Sequence, residues 1–488
     1  MAETKNPDIL EKPGDYNLKE VVIVNSHGER ADIKAFILEL NLFESVFQGT
    51  MLGSIVLTDN ANLVNIVPLK GNERLYFKLT TAGATGPEDA IDANPDTGYP
   101  FYVYKLSDRK EVEHNVSSYV LHFGTREFMR NLRTKVSQAY SGDISASALK
   151  ILRDETALDS QKPVFFEPTR NADKVVIPNM KPLNAIGLLA DRALSKNGQG
   201  AGYFFYETTK GFHFRSWENM TSLETRTLRE PKMVFRYNAK KIPNTPDRTF
   251  INERSIDEYK FVKHYDTAAM QSMGVYSQNI IYYNFYNKEI QRTDWKYMHY
   301  WKDLKHTDDK NMPFTNDPVD VDPKDAPEVG DKGVGDYTQS KTTLLPTTRY
   351  AHGDNTGAYG DDPGSEGLTE AIKNFQYKSL VNNVLEITIK GHAQLQAGDL
   401  IQINIPPIDK DKTKRKDTGH DFDDHHSGNY VITAIHHKTT REQYLMVCEC
   451  IKDSVREEYR KAKPFYYGSK EKKGQITNQY DKDAIENT

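Results

Sequence analysis

The first quarter of the chain alternates short apolar runs with turn-forming clusters. The turns include residues 25–28 and the pair Gly71 and Asn72, and the apolar runs lie at 21–24, 33–40, 54–58, 74–79, 101–106 and 119–123. Several short strands separated by turn signals are typical of an antiparallel barrel or sandwich. We therefore predict a β domain over residues 1–126.

The spacing of apolar residues changes after residue 126. It becomes four at Phe128, Leu132, Val136 and Tyr140, which predicts a helix, and a second helical face follows at 146–153. Pro182 opens a third apolar face at 183–194, as expected of a proline in the first turn of a helix. These helices place an α+β domain at residues 127–230.

Two aromatic runs in this α+β domain predict a hairpin. Residues 203–206 and 212–215 flank a short turn that contains Gly211. In the second run, phenylalanines alternate with His213 and Arg215, which predicts a strand buried on one face only.

Polar residues dominate the segment from 303 to 366. Between residues 306 and 336, nine carboxylates and four prolines stand against three lysines. Such a composition buries too little apolar area to offset its ordering entropy, so we predict a flexible acidic insertion. Alternating apolar residues return at 385–389 and 401–405, and apolar runs follow at 430–435 and 444–451. These predict a second β domain over 367–455, before a charged tail at 456–488.

Residues 279–286 form a strand pattern with aromatic rings on both faces. Tyr283 and Phe285 face one way, whereas Tyr282 and Tyr286 face the other. Two interpretations remain open: a strand sandwiched between layers of one subunit, or a strand at a subunit interface.

Composition narrows the class of protein. The 488 residues are too many for one small domain, and the net charge of −5 excludes the strong field of a dedicated nucleic-acid or anionic-membrane binder. The amino terminus lacks a signal-peptide pattern and no apolar run reaches 18 residues, so we expect synthesis in the cytosol and no stable membrane insertion. Cys448 and Cys450 share one face of a predicted strand and are expected to be buried, unbonded residues.

Two clusters contain metal-competent side chains. Residues 420–426 hold three imidazoles and three carboxylates, but they lie in a polar, lysine-rich stretch that is typical of a solvated hairpin tip. The acidic residues Asp317, Asp320, Asp322 and Asp325 resemble a calcium loop without its glycine, and prolines interrupt them. We therefore predict no metal site at either place.

Motifs for enzymatic chemistry are missing from the sequence. It contains no G-x-S-x-G, H-E-x-x-H, P-loop or G-x-G-x-x-G pattern. We predict no catalytic and no cofactor-binding residues. A β-rich carbohydrate-active enzyme remains an alternative, because the paired carboxylates of such an enzyme are defined only in space.

Two motifs near the carboxyl end carry a family resemblance. The first comprises Gly398, Asp399 and Ile401. The second is the run Ser427, Gly428, Tyr430, Ile432, Thr433 and Ile435, followed by His436 and His437. In this order, after the earlier strands and the Pro178 to Pro182 segment, they resemble the baseplate hub proteins of T4-like contractile-tailed bacteriophages.

The resemblance implies a fold and a role. The fold would be β-rich α+β, with two similar antiparallel β-barrel (tube) domains, an inserted α+β domain and the long acidic loop. Residues 231–302 would complete the discontinuous second barrel and the middle domain. The role would be a homotrimeric, pseudo-sixfold ring that adapts the tail tube to the trimeric cell-puncturing spike and passes DNA without binding it specifically.

The same resemblance implies partners and a location. The partners would be the central spike protein, the tail tube protein, baseplate wedge proteins and the tape-measure protein. The location would be the virion tail baseplate, assembled in the cytoplasm of the host bacterium. The hub of a type VI or extracellular contractile injection system is an alternative within the same architecture.

Overall fold

The computed structural model describes residues 12–83, 90–94, 98–170, 172–196, 200–221, 230–238, 249–284, 288–308, 333–347, 365–407, 422–423 and 425–456. The strands are β1 (Tyr16–Val24), β2 (Arg30–Asp32), β3 (Ile37–Ser45), β4 (Leu52–Asp59), β5 (Arg74–Thr81), β6 (Ala90–Asp92), β7 (Phe101–Glu113), β8 (Val116–Gly124), β9 (Val136–Asp143), β10 (Val164–Phe166), β11 (Ala172–Met180), β12 (Tyr203–Thr208), β13 (Gly211–Ser216), β14 (Val234–Tyr237), β15 (Ser255–Lys263), β16 (Ser277–Asn284), β17 (Glu289–Lys296), β18 (Thr342–Thr347), β19 (Val384–Lys390), β20 (Leu400–Asn404), β21 (Gly428–Thr440) and β22 (Tyr444–Ile451). The helices are α1 (Leu63–Ile66), α2 (Arg126–Arg133), α3 (Ile144–Arg153), α4 (Pro182–Ala190), α5 (Trp217–Thr221), α6 (Thr249–Glu253), α7 (Thr267–Ser272), α8 (Tyr297–Tyr300) and α9 (Ser365–Ser379).

Six strands from the second half of the chain close into a barrel, which we call the second β unit. Around the barrel the order is β14, β15, β19, β22, β21 and β20, and β20 pairs again with β14. The short β14 runs parallel to both of its neighbours, whereas the other pairs are antiparallel. Strands β14 and β15 precede β19 by a long insertion, so the barrel is discontinuous in sequence.

Six strands from the first 124 residues form the first β unit, a curled antiparallel sheet. Its order is β1, β5, β7, β8, β4 and β3, with the short β2 and β6 added at the edges. The described strands β1 and β3 do not pair with each other, so this unit stays open where the second unit is closed. A cleft of about 630 Å³ lies at this opening, between β1, the start of β3 and the turn after β21. The resemblance implied two similar barrels, and in the described chain only the second one is closed.

One hydrophobic core runs through both β units. Alternate residues of each strand face it, as in the buried Ile55 and Leu57 of β4 and the buried Ile387 and Ile389 of β19. Cys448 and Cys450 are buried and unbonded on the core face of β22, which confirms the prediction for these residues.

The middle region, residues 126–221, combines helices α2 to α5 with two small sheets. The helix predicted to continue through Val136 and Tyr140 is wrong, because residues 136–143 form β9 and pair with β11. A spacing of four places two residues on one face of a strand as well as of a helix. Here the apolar Val175 and Ile177 of β11 supply the core that favours the strand.

The prediction that β13 is buried on one face only is also wrong. His213 is 2% exposed and Arg215 is 9% exposed. The rings of Tyr206 and Phe165 each stack on His213 at 4.9 Å, and β10 pairs along β13. Burial beside Arg215 lowers the pKa of His213 to about 3, so this imidazole is neutral in the folded protein.

A three-stranded sheet of β17, β16 and β18 lies in the insertion that divides the second β unit. Strand β18 falls within the segment predicted as a flexible loop, but it pairs in parallel with β16. One face of β16 packs through Ile280 into a core with Trp295, and the other face carries the half-exposed Ile281 and Tyr283. The described residues therefore cover one face of this strand, and a subunit interface at the other face stays a prediction.

We predict opposite effects for two Gly→Ala substitutions. Gly398 has a φ of +87°, and a Cβ there would lie 2.1 Å from the Tyr206 hydroxyl, so Gly398→Ala is expected to cost about 3 kcal/mol of stability. Gly187 lies inside α4 with no atom near an added Cβ, so Gly187→Ala is expected to stabilise by about 0.5–1 kcal/mol. Urea unfolding of both variants measures the difference. Equal effects of the two substitutions would contradict the close contact at Gly398.

Candidate functional site: the joint between the two β units

The two β units are joined edge to edge by β3 and β21. Seven residue pairs, from Ala434 opposite Ser45 to Thr440 opposite Glu39, form an antiparallel ladder. The long β21 pairs with β20 in its first half and with β3 in its second half, while β22 runs along its other edge. A continuous sheet of eight strands therefore crosses the joint, in the order β7, β8, β4, β3, β21, β22, β19 and β15.

Side chains on the outward face reinforce the joint. The rings of Phe43 and His436 stack with their centroids 4.6 Å apart, and the Lys438 ammonium lies 3.2 Å from the Glu39 carboxylate. Cross-strand pairs of this kind each contribute roughly 0.2–1 kcal/mol, so the ladder itself and the shared core hold the units together.

A buried carboxylate lies on the core face of the same joint. Glu44, at the end of β3, is 2% exposed, and its oxygens accept hydrogen bonds from the amides of Thr209 at 2.9 Å and Ala397 at 3.0 Å. His437 Nε2 lies 3.7 Å from the carboxylate, and His437 Nδ1 lies 2.7 Å from the Tyr444 hydroxyl. Glu44 thus connects the first β unit with the β12–β13 turn and with the second β unit.

The environment of Glu44 favours its charged form. Burial alone would raise the pKa of Glu44, but the interaction with His437 and the two amide hydrogen bonds hold it below the ordinary value. Glu44 therefore keeps its negative charge at neutral pH, and the amides of Thr209 and Ala397 each donate to one of its oxygens.

A second buried cluster joins the first β unit to the middle region. Glu207, on β12, accepts hydrogen bonds from the Met51 amide at 3.1 Å and from the Thr125 hydroxyl at 2.8 Å. The Lys162 ammonium contacts both Glu207 and Glu127. All three charged groups are nearly inaccessible to water, so two carboxylates share one cation in a medium that screens charge poorly.

The pKa values of the two carboxylates shift in opposite directions. Burial raises the pKa of Glu207 to about 7, because Lys162 offsets only part of the effect and the nearby Glu127 adds to it. Against the effect of burial, Lys162 and the Ser160 hydroxyl lower the pKa of Glu127. Glu127 thus carries the charge that pairs with Lys162, and Glu207 is the group that takes up a proton first.

Asp453 makes a third buried connection, at the end of the second β unit. Its carboxylate accepts hydrogen bonds from the Thr307 amide at 2.9 Å and from the Trp217 indole at 3.2 Å, and it lies 3.0 Å from His306 Nδ1. The residues belong to the barrel, to α5 and to the segment after α8. Together the three clusters fix the middle region and the insertion against the β units.

The outward face of the eight-stranded sheet is polar and nearly balanced in charge. It presents half-exposed small residues, including Ser54, Val56, Thr58, Val120 and Thr388. Its charged residues include Glu39, Glu258, Glu386 and Glu449 and, of opposite sign, Lys105, Lys260, Lys390 and Lys438. Such a face has no concentrated positive field of the kind that binds phosphate backbones.

The metal-competent cluster at 420–426 lies partly outside the described residues. Within it, His426 Nδ1 donates to the Asp423 carboxylate at 2.7 Å, and the centroid of the His426 ring is 5.0 Å from that of His264. In the part of the chain that the structure describes, no three His, Cys, Asp or Glu side chains are grouped to hold a metal ion. The Asp317 to Asp325 segment lies outside the described residues.

The two sequence motifs of the resemblance meet within the second β unit. Gly398 and Asp399 form the turn before β20, where the Ile432 amide donates to the Asp399 carbonyl. Ser427 and Gly428 open β21. Glu44 and Glu207 were not predicted as site residues, although each places a carboxylate where the strand pattern calls for an apolar or neutral side chain.

No helix of the described chain has both the length and the apolar character needed to span a membrane.

No protein-family model matches the chain, and no curated protein matches it. Among solved structures it is similar to the tail protein from Neisseria meningitidis MC58, with 9% identity, a TM-score of 0.48 and coverage of 90% of this chain and 97% of that chain. It is also similar to the 43 kDa tail protein of prophage MuSo2 from Shewanella oneidensis, with 10% identity, a TM-score of 0.46 and coverage of 90% and 100%. A component of the E. coli type VI secretion system is similar with 10% identity, a TM-score of 0.39 and coverage of 92% and 79%. These three similar structures are thus two tail proteins and a secretion-system component.

We predict that the free energy of unfolding of Glu207→Gln, relative to that of the unmodified protein, increases as the pH rises. A carboxyl whose folded pKa is raised contributes stability at low pH and loses it as the pH rises from its unfolded value of about 4.3 towards 7. The amide keeps one acceptor and leaves Lys162 paired with Glu127. Relative to the unmodified protein, the stability of the variant should increase by on the order of 2 kcal/mol between pH 5 and pH 8. Thermal unfolding across this range measures it, and a pH-independent difference would contradict the shared-cation arrangement.

Glu44→Gln is expected to show the opposite trend. The lowered pKa of Glu44 contributes stability above the unfolded value of about 4.3, and this contribution is lost as the pH falls through the folded pKa. The variant should be less stable by about 2 kcal/mol at pH 7, because one amide at the joint loses its acceptor. Denaturant unfolding at pH 7 and pH 4 should show the deficit shrinking at the lower pH. A deficit that grows on acidification would show that Glu44 is not held as a carboxylate.

Proposed function

We propose that the protein is the baseplate hub of a contractile phage tail, a homotrimeric ring that adapts the tail tube to the trimeric spike. The observation that carries the proposal is the pair of β units joined by β3 and β21. Each unit orders its six strands alike, so one chain contributes two comparable units and three chains contribute six. A threefold ring of this kind matches a sixfold tube on one face and a threefold spike on the other.

The proposed role is mechanical and needs no catalytic residue or cofactor. Buried clusters around Glu44, Glu207 and Asp453 fix the relative positions of the units, as a load-transmitting ring requires. The outward face of the eight-stranded sheet is a suitable lining for a DNA channel, because its balanced charges do not attract phosphate. Partners on the two faces of the ring would be the tube and tape-measure proteins on one side and the spike on the other, with wedge proteins outside.

Light scattering and electron microscopy test the proposal. We expect a particle near three times 55.8 kDa, with threefold symmetry and a central opening, either alone or together with its own spike protein. A persistent monomer that binds neither spike nor tube protein would exclude the hub. Assembly on a phage tube or on a secretion-system tube would distinguish the two kinds of contractile machine.

A further inference from the structure

The two β units share one pairing scheme, although only one of them is closed. Numbered along the chain within each unit, the first strand pairs with the fourth, the fourth with the fifth, the fifth with the sixth, the sixth with the third and the third with the second. This scheme makes β3 and β15 the second strands, and β7 and β21 the fifth strands. The equivalent strands also match in length, with nine residues in β3 and β15 and 13 in β7 and β21.

The joint within the chain uses one strand of each kind. It pairs the second strand of the first unit, β3, with the fifth strand of the second unit, β21. The remaining second and fifth strands are β15 and β7. If the same joint formed once more, it would pair β15 with β7.

Both of these strands have an open edge. Strand β7 pairs with β5 only at Phe101 and Tyr102, so among the described residues its edge from Lys105 onward has no strand partner. Strand β15 pairs with β14 only at Ser255 and Ile256, so the rest of that edge, to Lys263, is equally open in the described structure. Exposed strand edges of this length template pairing with another chain unless they are covered.

The two open edges lie on opposite flanks of the molecule. Around the second unit, β15 is three strands from β21 in either direction. In the first unit, β7 is three strands from β3. One chain therefore cannot join its own β7 to its own β15 across the intervening units, but successive copies can meet head to tail.

The side chains along the two edges are largely exposed to solvent. Exposed residues include Lys105, Asp108 and Lys110 on β7 and Asp257, Glu258 and Lys260 on β15. Each edge also exposes a valine, with Val112 at 55% and Val262 at 53%.

We propose that β7 of one copy pairs antiparallel with β15 of the next copy, repeating between chains the joint that β21 and β3 form within the chain. The eight-stranded sheet then continues from one chain into the next. Closure after three copies rests on the proposed function, whereas the strand pairing itself rests on the open edges and on the joint inside the chain.

Equivalent core residues define the register. In the first unit, successive cross-strand pairs form one row of core residues across β7, β8, β4 and β3. The row consists of Leu106, Leu121, Ile55 and Leu40. In the second unit, the corresponding pairs connect Ile435, Cys448, Ile387 and Tyr259. At the joint, Ile435 pairs with Glu44, four residues after Leu40. The same offset from Tyr259 places Lys263 opposite Leu106, and therefore Val262 opposite Ser107.

Cysteine cross-linking tests this register. The double variant Ser107→Cys/Val262→Cys, oxidised at the concentration where the oligomer forms, should give a covalent trimer on a non-reducing gel, reversed by reductant. A mixture of the two single variants should stop at dimers, and each single variant alone should give none. Native Cys448 and Cys450 are buried and stay in place. The matched control Ser107→Cys/Thr58→Cys, whose second cysteine lies on β4 with both edges already paired, should remain uncross-linked.

A measurement on the unmodified protein covers the case in which the variants misfold. Amide exchange should slow in residues 105–113 and 257–263 when monomer converts to oligomer, and should change little in β4. Lys260→Cys in place of Val262→Cys tests the neighbouring register. A trimer that forms neither cross-link and shows no such protection overturns the pairing but leaves the proposed hub. A ladder of growing cross-linked chains supports the pairing and overturns the closed ring. A monomer under all conditions, with and without spike protein, overturns both.

Discussion

The backbone ladder between β3 and β21 is the interaction on which the arrangement of the molecule depends. Strand edges carry backbone N–H and C=O groups that need hydrogen-bond partners. On the edge of β3 that faces away from β4, pairing with β21 supplies these partners. This pairing brings two β units from the two ends of the chain into one sheet and one hydrophobic core. The first unit nevertheless remains open, because β1 and β3 do not pair with each other among the described residues.

Buried carboxylates make this arrangement specific. Hydrophobic burial is non-directional and would tolerate several orientations of the units. Glu44 and Glu207 accept hydrogen bonds from amides that lie far away in sequence, and an altered orientation would leave those buried groups without partners. In the second cluster a single cation, Lys162, faces two carboxylates. The net charge of this cluster therefore depends on pH.

Much of the local structure could be predicted from sequence patterns. The alternation in β19 and β20, the β12–β13 hairpin and the proline at the start of α4 follow from the periods of strands and helices and from turn chemistry. The errors have physical causes. Val136 and Tyr140 fit both periods, and the apolar face of β11 decided between them. Thr342–Thr347 lies in a segment read as a loop, but it forms β18 because β16 offers it an edge. The burial of His213 depends on the rings of Phe165 on β10 and Tyr206 on β12.

The sequence by itself determined which residues of strands such as β19 share one face, because side chains alternate with a period set by the backbone. It also placed the turn at residues 25–28, where Gly28 has a positive φ that few other residues accept. Only the tertiary structure decided which strand edges meet. Backbone hydrogen bonds are the same for every residue, so the chain carries no local code for the pairing of β3 with β21 or for the amides that surround Glu44. Those choices depend on how two distant units bury their apolar faces together.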